Sequence, residues 1–197
     1  MDMVMNKRDL LIEAAIELFG EFGFWNTSTA SVAKKAGVAT GTLFNHFKTK
    51  DELIDEVMVY LKREMINEAK RGLDIEADLR DQFEHIWYSG MAWGERHPER
   101  FRLMEQIQVS QLLSNKEQIG EVGLPLDGLR ELIQHGIDAG ALQPLCPDLI
   151  AEIMYRNAQS YFEYLQARPE MSRFEKNAHL QAGFDMCWKS LSREPSA

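Results

Sequence analysis

The stretch that decides the fold spans residues 27–53 and reads TSTASVAKKAGVATGTLFNHFKTKDEL. Ser28 is of a residue type that caps helix N-termini, and Gly37 permits a sharp turn after a helix. The pattern therefore predicts one short helix that ends at Ala36 and another over residues 40–47. Two short helices joined by a tight turn form a compact corner of about twenty residues.

The rest of the chain also has a helical pattern. Between Lys7 and Phe22, apolar residues recur at the spacing of an amphipathic helix, and Gly23 is suited to end it. Thr49 is the predicted cap of the next helix. Further helices are predicted over 76–95, 98–113, 125–139, 147–167 and 172–192. Because no alternating strand pattern occurs, the predicted fold is all-α with about nine helices.

Charge is distributed unevenly along the 197 residues. The net charge is −9, yet residues 1–50 hold six basic and five acidic residues, whereas the remainder holds 16 basic and 26 acidic ones. A slightly cationic N-terminal module attached to an acidic body is compatible with a polyanionic partner, since screening confines such an interaction to about 10 Å. The charge pattern alone does not identify that partner.

The two faces of the predicted corner differ in chemistry. Its inner face is expected to consist of Val32, Ala36, Val38, Leu43 and Phe47. Its outer face carries Thr40, Gly41, Thr42, Phe44, Asn45 and His46, most of them short or able to form hydrogen bonds. Such side chains let a helix enter the major groove of DNA, where Asn pairs well with adenine. His46 and Lys50 are better suited to phosphates. The corner is therefore interpreted as a helix-turn-helix that binds DNA.

Residues 7–55 resemble the DNA-binding region of TetR-family regulators. The resemblance rests on the glycine turn, the run Gly-Thr-Leu-Phe-Asn-His-Phe from residue 41 and the following Lys-Asp-Glu-Leu. It implies that Thr40, Gly41, Thr42 and Asn45 face the groove, and that Thr29, Phe44, His46 and Lys50 meet the DNA backbone. The sequence departs from the family pattern at two positions, so a relative's operator sequence is less transferable to this chain. Ala39 stands where the family often has Ser or Thr and therefore lacks a hydroxyl. Phe44 stands where the family usually has Tyr.

We expect residues 1–50 to form the DNA-binding domain and residues 51–197 to form an effector-binding and dimerisation domain. Aromatic and Met residues at helical spacing indicate either an ordinary core or a ligand pocket. The candidate pocket residues are Trp87, Tyr88, Met91, Met104, Glu105, Met154, Tyr161 and Phe162. Gly90 and Gly94, inside one predicted helix, allow either close helix contact or space for a ligand.

The last two predicted helices are apolar on more than one face, which is typical of helices buried on more than one side. A four-helix contact between two copies of the chain is therefore predicted, as the family resemblance also implies. Its candidate residues are Ile153, Tyr161, Leu165, Phe184, Cys187, Trp188 and Leu191. Cys187 and Cys146 are expected to be buried or half-buried thiols.

The sequence predicts a dimeric transcriptional regulator. The first interpretation is a repressor that a small molecule releases from its operator. A DNA-binding regulator controlled by a partner protein is an alternative, and an all-α carrier or enzyme is a third. No recognisable catalytic set, metal-ligand spacing or cofactor motif occurs, so neither an enzyme nor a cofactor is expected. Without a membrane span or signal peptide, the expected location is cytoplasmic.

Overall fold

The computed structural model describes residues 6–110 and 128–193, and nine helices occupy most of them. In chain order they are α1 (Lys7–Phe22), α2 (Thr29–Lys35), α3 (Thr40–His46), α4 (Lys50–Lys70), α5 (Leu79–Arg96), α6 (Pro98–Val109), α7 (Leu129–Asp138), α8 (Pro147–Gln166) and α9 (Arg173–Leu191). Extended pairing within the described ranges is limited to one bridge between Leu142 and Ser192. The all-α prediction is confirmed. No helix in the described part of the chain is both long and apolar enough to cross a membrane.

Helix ends follow the local chemistry of the sequence. Gly23 ends α1 at φ 77°, a conformation that is strained for residues with a Cβ atom, and its N–H donates to Phe19 O. At the start of α9, the Ser172 hydroxyl accepts from Glu175 N–H at 3.2 Å, and the Glu175 carboxylate accepts from Ser172 N–H at 2.9 Å. This reciprocal capping box satisfies two N–H groups at the α9 N-terminus.

The helix predicted over 76–95 begins three residues later than expected. The Asp74 carboxylate accepts from Glu76 N–H at 3.0 Å, and the Asp74 carbonyl accepts from Ala77 N–H. This turn uses backbone groups that a helix would need, so α5 starts only at Leu79. Residues 111–113 and 125–127 of the other predicted helices lie outside the described residues.

The first of two compact units contains the described residues of Met1–Glu64 and His97–Gly123. Within it α6 packs against α1, the first helix of the N-terminal module. The buried side chains of α6 are Phe101, Leu103, Met104 and Ile107. The functional boundary at residue 50 stays a prediction, whereas packing in this unit extends beyond it.

The second unit contains the described residues of Met65–Arg96 and Leu124–Ala197, and its core lies among α5, α8 and α9. A Cβ atom on Gly94 would lie 2.6 Å from the Phe162 ring, so this glycine permits close contact between α5 and α8. A Cβ atom on Gly90 would meet nothing within 4 Å. The two glycines of α5 therefore play different roles: one permits tight packing and the other lies beside open space.

The two cysteines have opposite environments. Cys187 is buried on α9, and burial raises the pKa of its thiol to about 11. Cys146 is exposed, so the expectation that it would be at least half-buried is wrong. It precedes Pro147, the first residue of α8, and its side chain makes no capping hydrogen bond there.

Candidate DNA-binding site

The turn between α2 and α3 is built around Gly37. This glycine has φ 71°, in the region that disfavours other residues. Its N–H donates to Lys34 O at 3.1 Å, and the N–H of Val38 donates to Ala33 O at 3.0 Å. These two bonds form a Schellman motif, which satisfies the last carbonyl groups of α2 and redirects the chain into α3. The predicted helix-turn-helix geometry is therefore present.

The inner face of the motif fixes the position of α3. Leu43 and Phe47 are fully buried, together with Val32 of α2. The Arg8 guanidinium of α1 lies 5.5 Å from the centre of the Phe47 ring and forms an ion pair with Glu56 of α4. One arginine thus contacts both the residue that follows α3 and the helix that comes next.

The outer face of α3 is open to solvent. We call Thr40, Gly41, Thr42, Phe44, Asn45 and His46 the reading face. All six are exposed except Thr42, which is partly exposed, as are Thr29 and Lys50. Among the described residues, the side chains of Thr40, Thr42 and Asn45 make no hydrogen bond to the protein. Their donors and acceptors are therefore free for base edges and phosphates.

Hydrogen-bonded caps hold the helices on either side of α3. Ser28 and Ser31 form a capping box at the start of α2. Thr49 accepts from Glu52 N–H at 3.0 Å at the start of α4, as the sequence predicts. Ala39 gives α3 no side-chain cap. The position of α3 therefore depends on its buried face and on its neighbours.

The lysines around the motif differ in their availability to phosphate. Lys35 pairs with Glu17 at 2.6 Å, and this hydrogen bond, followed by the charge of Glu17, raises the pKa of Lys35. Lys34 and Lys50 form no ion pair within the described ranges. These two cations can approach a polyanion without first giving up a carboxylate partner.

A charged cluster that the sequence did not reveal connects α6 with the N-terminal module. Arg100 of α6 donates to Glu13 of α1 at 2.7 Å and to Glu64 of α4 at 2.6 Å. The Tyr60 hydroxyl donates to Glu13 at 2.8 Å. Burial disfavours the charge on Arg100, but its hydrogen bonds with Glu13 and Glu64 and their charges outweigh burial and raise its pKa. The cluster ties α1, α4 and α6 together within the first unit.

The candidate pocket residues are divided between the two units. Met104 and Glu105 belong to α6 in the first unit, and the other six belong to α5 and α8 in the second. Two cavities of the second unit have volumes of about 630 and 480 Å³. Tyr88 and Met91 line the smaller one, whereas Trp87, Met154, Tyr161 and Phe162 line neither. The sequence did not identify the residues around the larger cavity.

The candidate dimer residues lie on α8 and α9 but differ in burial. Leu165, Phe184, Cys187 and Leu191 are buried in the core of their own chain, whereas Ile153, Tyr161 and Trp188 are partly exposed. Another row of α9 side chains points outward, and its members are Phe174, Ala178, Ala182 and Met186. We call this row the α9 stripe. Its residues are spaced four apart and form one ridge on the helix.

Comparison with known proteins places the motif in a family. Residues 11–57 match the profile described as bacterial regulatory proteins, tetR family. The chain is 26% identical over 155 residues to the HTH-type transcriptional regulator YhgD of Bacillus subtilis, covering 78% of this chain and 81% of that protein. It is 24% identical over 161 residues to the transcriptional repressor KstR2 of Mycobacterium tuberculosis, covering 78% and 76%.

Solved structures agree over nearly the whole chain. The crystal structure of a TetR-family transcription regulator from Shewanella sp. PV-4 superposes with a TM-score of 0.81 at 26% identity, covering 96% of this chain and 100% of that one. A regulator from Marinobacter aquaeolei has the same fold, with a TM-score of 0.72 at 23% identity and coverage of 95% and 96%. Residues 11–57 are therefore a DNA-binding domain of the TetR family, and the described chain has the fold of TetR-family transcription regulators.

Proposed function

We propose that this regulator is a dimeric repressor that leaves its operator when a small molecule binds. The observation that carries the proposal is the reading face, which is mostly polar or small, largely exposed and held on a buried support. KstR2, a relative over most of the chain, is described as a repressor. Repression needs only occupancy of DNA, so a reading face and a means of release are sufficient.

On DNA, α3 enters the major groove. An α-helix with its side chains is about 10–12 Å in diameter, which matches a groove about 12 Å wide. Asn45 is assigned to a base edge, with adenine the best match for its amide, while Thr29 and Lys50 hold phosphates. Selection of bound sequences from a random duplex pool tests this assignment. Recovery of one recurring motif supports it, and enrichment of no sequence contradicts it.

The dimer is assigned to the exposed side of α8 and α9. Phe174 is 83% exposed and Met186 is 67% exposed, large values for apolar side chains. The intervening Ala178 and Ala182 are small enough for two helices to approach closely along the α9 stripe. Two-fold pairing would place two copies of α3 one helical turn of DNA apart, about 34–36 Å, on a palindromic site. Sedimentation at micromolar protein tests the dimer, and a monomeric mass would exclude it.

Release by a ligand requires that the ligand bind one conformation better than the other. The α4 helix begins beside the helix-turn-helix at Lys50 and continues to Lys70, and its last residues line the larger cavity. A compound bound there acts on the same helix that follows the reading face. A screen for compounds that release the protein from its selected operator tests this step.

Control by a partner protein is the second candidate function. Over 100 residues, half of this chain, it is 27% identical to a protein of Aliivibrio fischeri named nucleoid occlusion factor SlmA. That name describes a task other than control of a single operator. If no compound releases the DNA while a cell protein does so reproducibly, control by a partner protein replaces ligand control.

A further inference from the structure

We propose that the larger cavity of the second unit binds organic ammonium ions with an apolar body. That such an ion is the signal for release from the operator rests on the proposed function. That the cavity binds it does not depend on DNA. The cavity lies among the last turn of α4, the segment 71–78, the start of α5 and α7. Its volume of about 630 Å³ is within the range of about 300–1,000 Å³ that is common for small-molecule sites.

The walls of the cavity are mainly apolar. They include Ile66, Leu73, Leu79, Ile86 and Leu132, which are all partly exposed within their unit. Aliphatic side chains that remain accessible in a concave site gain free energy when an apolar group covers them, at about 25 cal/mol per Å². This lining favours a hydrocarbon chain or ring as the body of the ligand.

Gln82 supplies the most informative polar group. Its side chain is 9% exposed, and its amide nitrogen donates to the Ile75 carbonyl at 3.2 Å and to the Ala77 carbonyl at 2.7 Å. Both amide protons are therefore used, and the orientation of the amide is fixed. The carbonyl oxygen Oε1 has no hydrogen-bond partner within the described ranges, although Gln82 lines the cavity. An acceptor whose lone pairs remain open in a mainly apolar site favours a ligand that donates a hydrogen bond there.

The charged groups of the cavity favour a cation. Glu76, Asp78 and Glu131 line it and are exposed, and none forms an ion pair within the described residues. Among the described residues of the lining, Lys70 is the one lysine, and His135 also lines the cavity. Three carboxylates against one ammonium group give the mouth a negative balance. A primary ammonium ion matches both features, since it carries positive charge and three N–H donors.

A ligand series separates charge from hydrogen bonding. Isothermal calorimetry of the full-length protein without DNA would compare decylammonium, decyltrimethylammonium and decanol, all below their aggregation concentrations. We expect decylammonium to bind about tenfold more tightly than decyltrimethylammonium, which has the charge but no donor, because a hydrogen bond to a charged group is lost. Decanol should bind more weakly than decylammonium. Equal affinities for all three compounds would show apolar binding only and overturn the proposal.

Variants locate the binding. Glu76→Gln combined with Glu131→Gln should weaken decylammonium about threefold to tenfold and leave decanol unchanged, because exposed charges are partly screened. Glu170→Gln, on an exposed residue outside the cavity, is the matched control. Leu132→Trp fills the cavity and should reduce binding of every compound. Unchanged decylammonium affinity in the double variant and in Leu132→Trp would overturn the proposal.

Gln82→Met tests the acceptor, with circular dichroism as a check on folding because the loop bonds of Gln82 are also lost. The substitution should reduce the difference in affinity between decylammonium and decyltrimethylammonium. An unchanged difference in a folded variant would exclude Gln82 as the acceptor.

A separate release assay uses operator DNA. If decylammonium binds the protein but does not release it from the DNA, the ammonium ion is not the release signal, and the proposal of a binding site still holds. Failure to bind DNA at all would refute the proposed function instead.

Discussion

The helix-turn-helix over residues 28–47 and the α8–α9 pair differ in how their surfaces are organised. In the first, the inner face is apolar and the outer face is mostly polar or small. In the second, both helices bury some apolar side chains in their own chain and expose others: Ile150 is buried and Leu149 exposed on α8, and Leu191 is buried and Phe174 exposed on α9. From this difference we expect DNA recognition by the first region to depend on individual side chains. We expect association through the second region to depend on a continuous apolar surface.

The largest expected effect comes from the α9 stripe. Ala178→Glu places like charges opposite each other across the proposed two-fold contact, so the dimer should dissociate. Loss of the second reading face should weaken operator binding about 100-fold or more, the usual scale of bivalent binding. Sedimentation and a mobility-shift titration measure the two effects. Ala92→Glu, at an exposed position of α5, is the control. A dimer that survives Ala178→Glu would contradict the assignment of the α9 stripe.

Asn45→Ala is the corresponding change in the reading face. It should cost about 1–3 kcal/mol of binding to the selected operator, because a bidentate contact with a base is lost, and it should relax the preference at one base pair. A binding assay on single-base operator variants measures this cost. Asn67→Ala, on the exposed side of α4, should have no effect. Equal weakening on all sequences would show that Asn45 contacts the backbone and does not read a base.

The two glycines of α5 provide a matched pair for the body. Gly94→Ala places a methyl group against the Phe162 ring and should destabilise the protein by about 1–3 kcal/mol through overpacking. Gly90→Ala meets no neighbour and should stabilise it by up to about 1 kcal/mol through helix propensity. Denaturant unfolding measures both changes. Equal effects of the two substitutions would contradict the close α5–α8 contact.

The smallest effect is expected for Lys50→Ala. Removal of one phosphate contact should weaken binding a few-fold on every sequence and reduce the slope of log affinity against log salt by about 1. Lys70→Ala removes an exposed lysine far along α4 and serves as the control in the absence of ligand. If only the preferred operator loses affinity, Lys50 takes part in base recognition.

Local sequence patterns predicted the first region almost completely. The cap at Ser28 and the turn at Gly37 depend on hydrogen bonds between residues at most five apart, so neighbouring residue types are sufficient to reveal them. The exposure of the reading face then follows from helical periodicity. The roles of its side chains on DNA remain predictions, because no contact within one chain determines them.

The body was less predictable for two physical reasons. Where a helix is apolar on several faces, periodicity does not tell which face enters the core. The sequence therefore predicts Phe184 and Cys187 at the dimer contact, although both are buried in their own chain. The Arg100 cluster joins residues that are 36 and 87 positions apart. Such pairs have no local signal and depend on the packing of α6 against α1.

The Arg8 contact has a consequence for how release would work. Because this side chain touches Phe47 at the end of α3 and Glu56 on α4, the three helices resist separate movement. A displacement of α4 should then tilt the motif as one body and leave the shape of its outer surface unaltered. We therefore expect the released form to rank DNA sequences in the same order as the bound form, with every affinity lowered by a common factor.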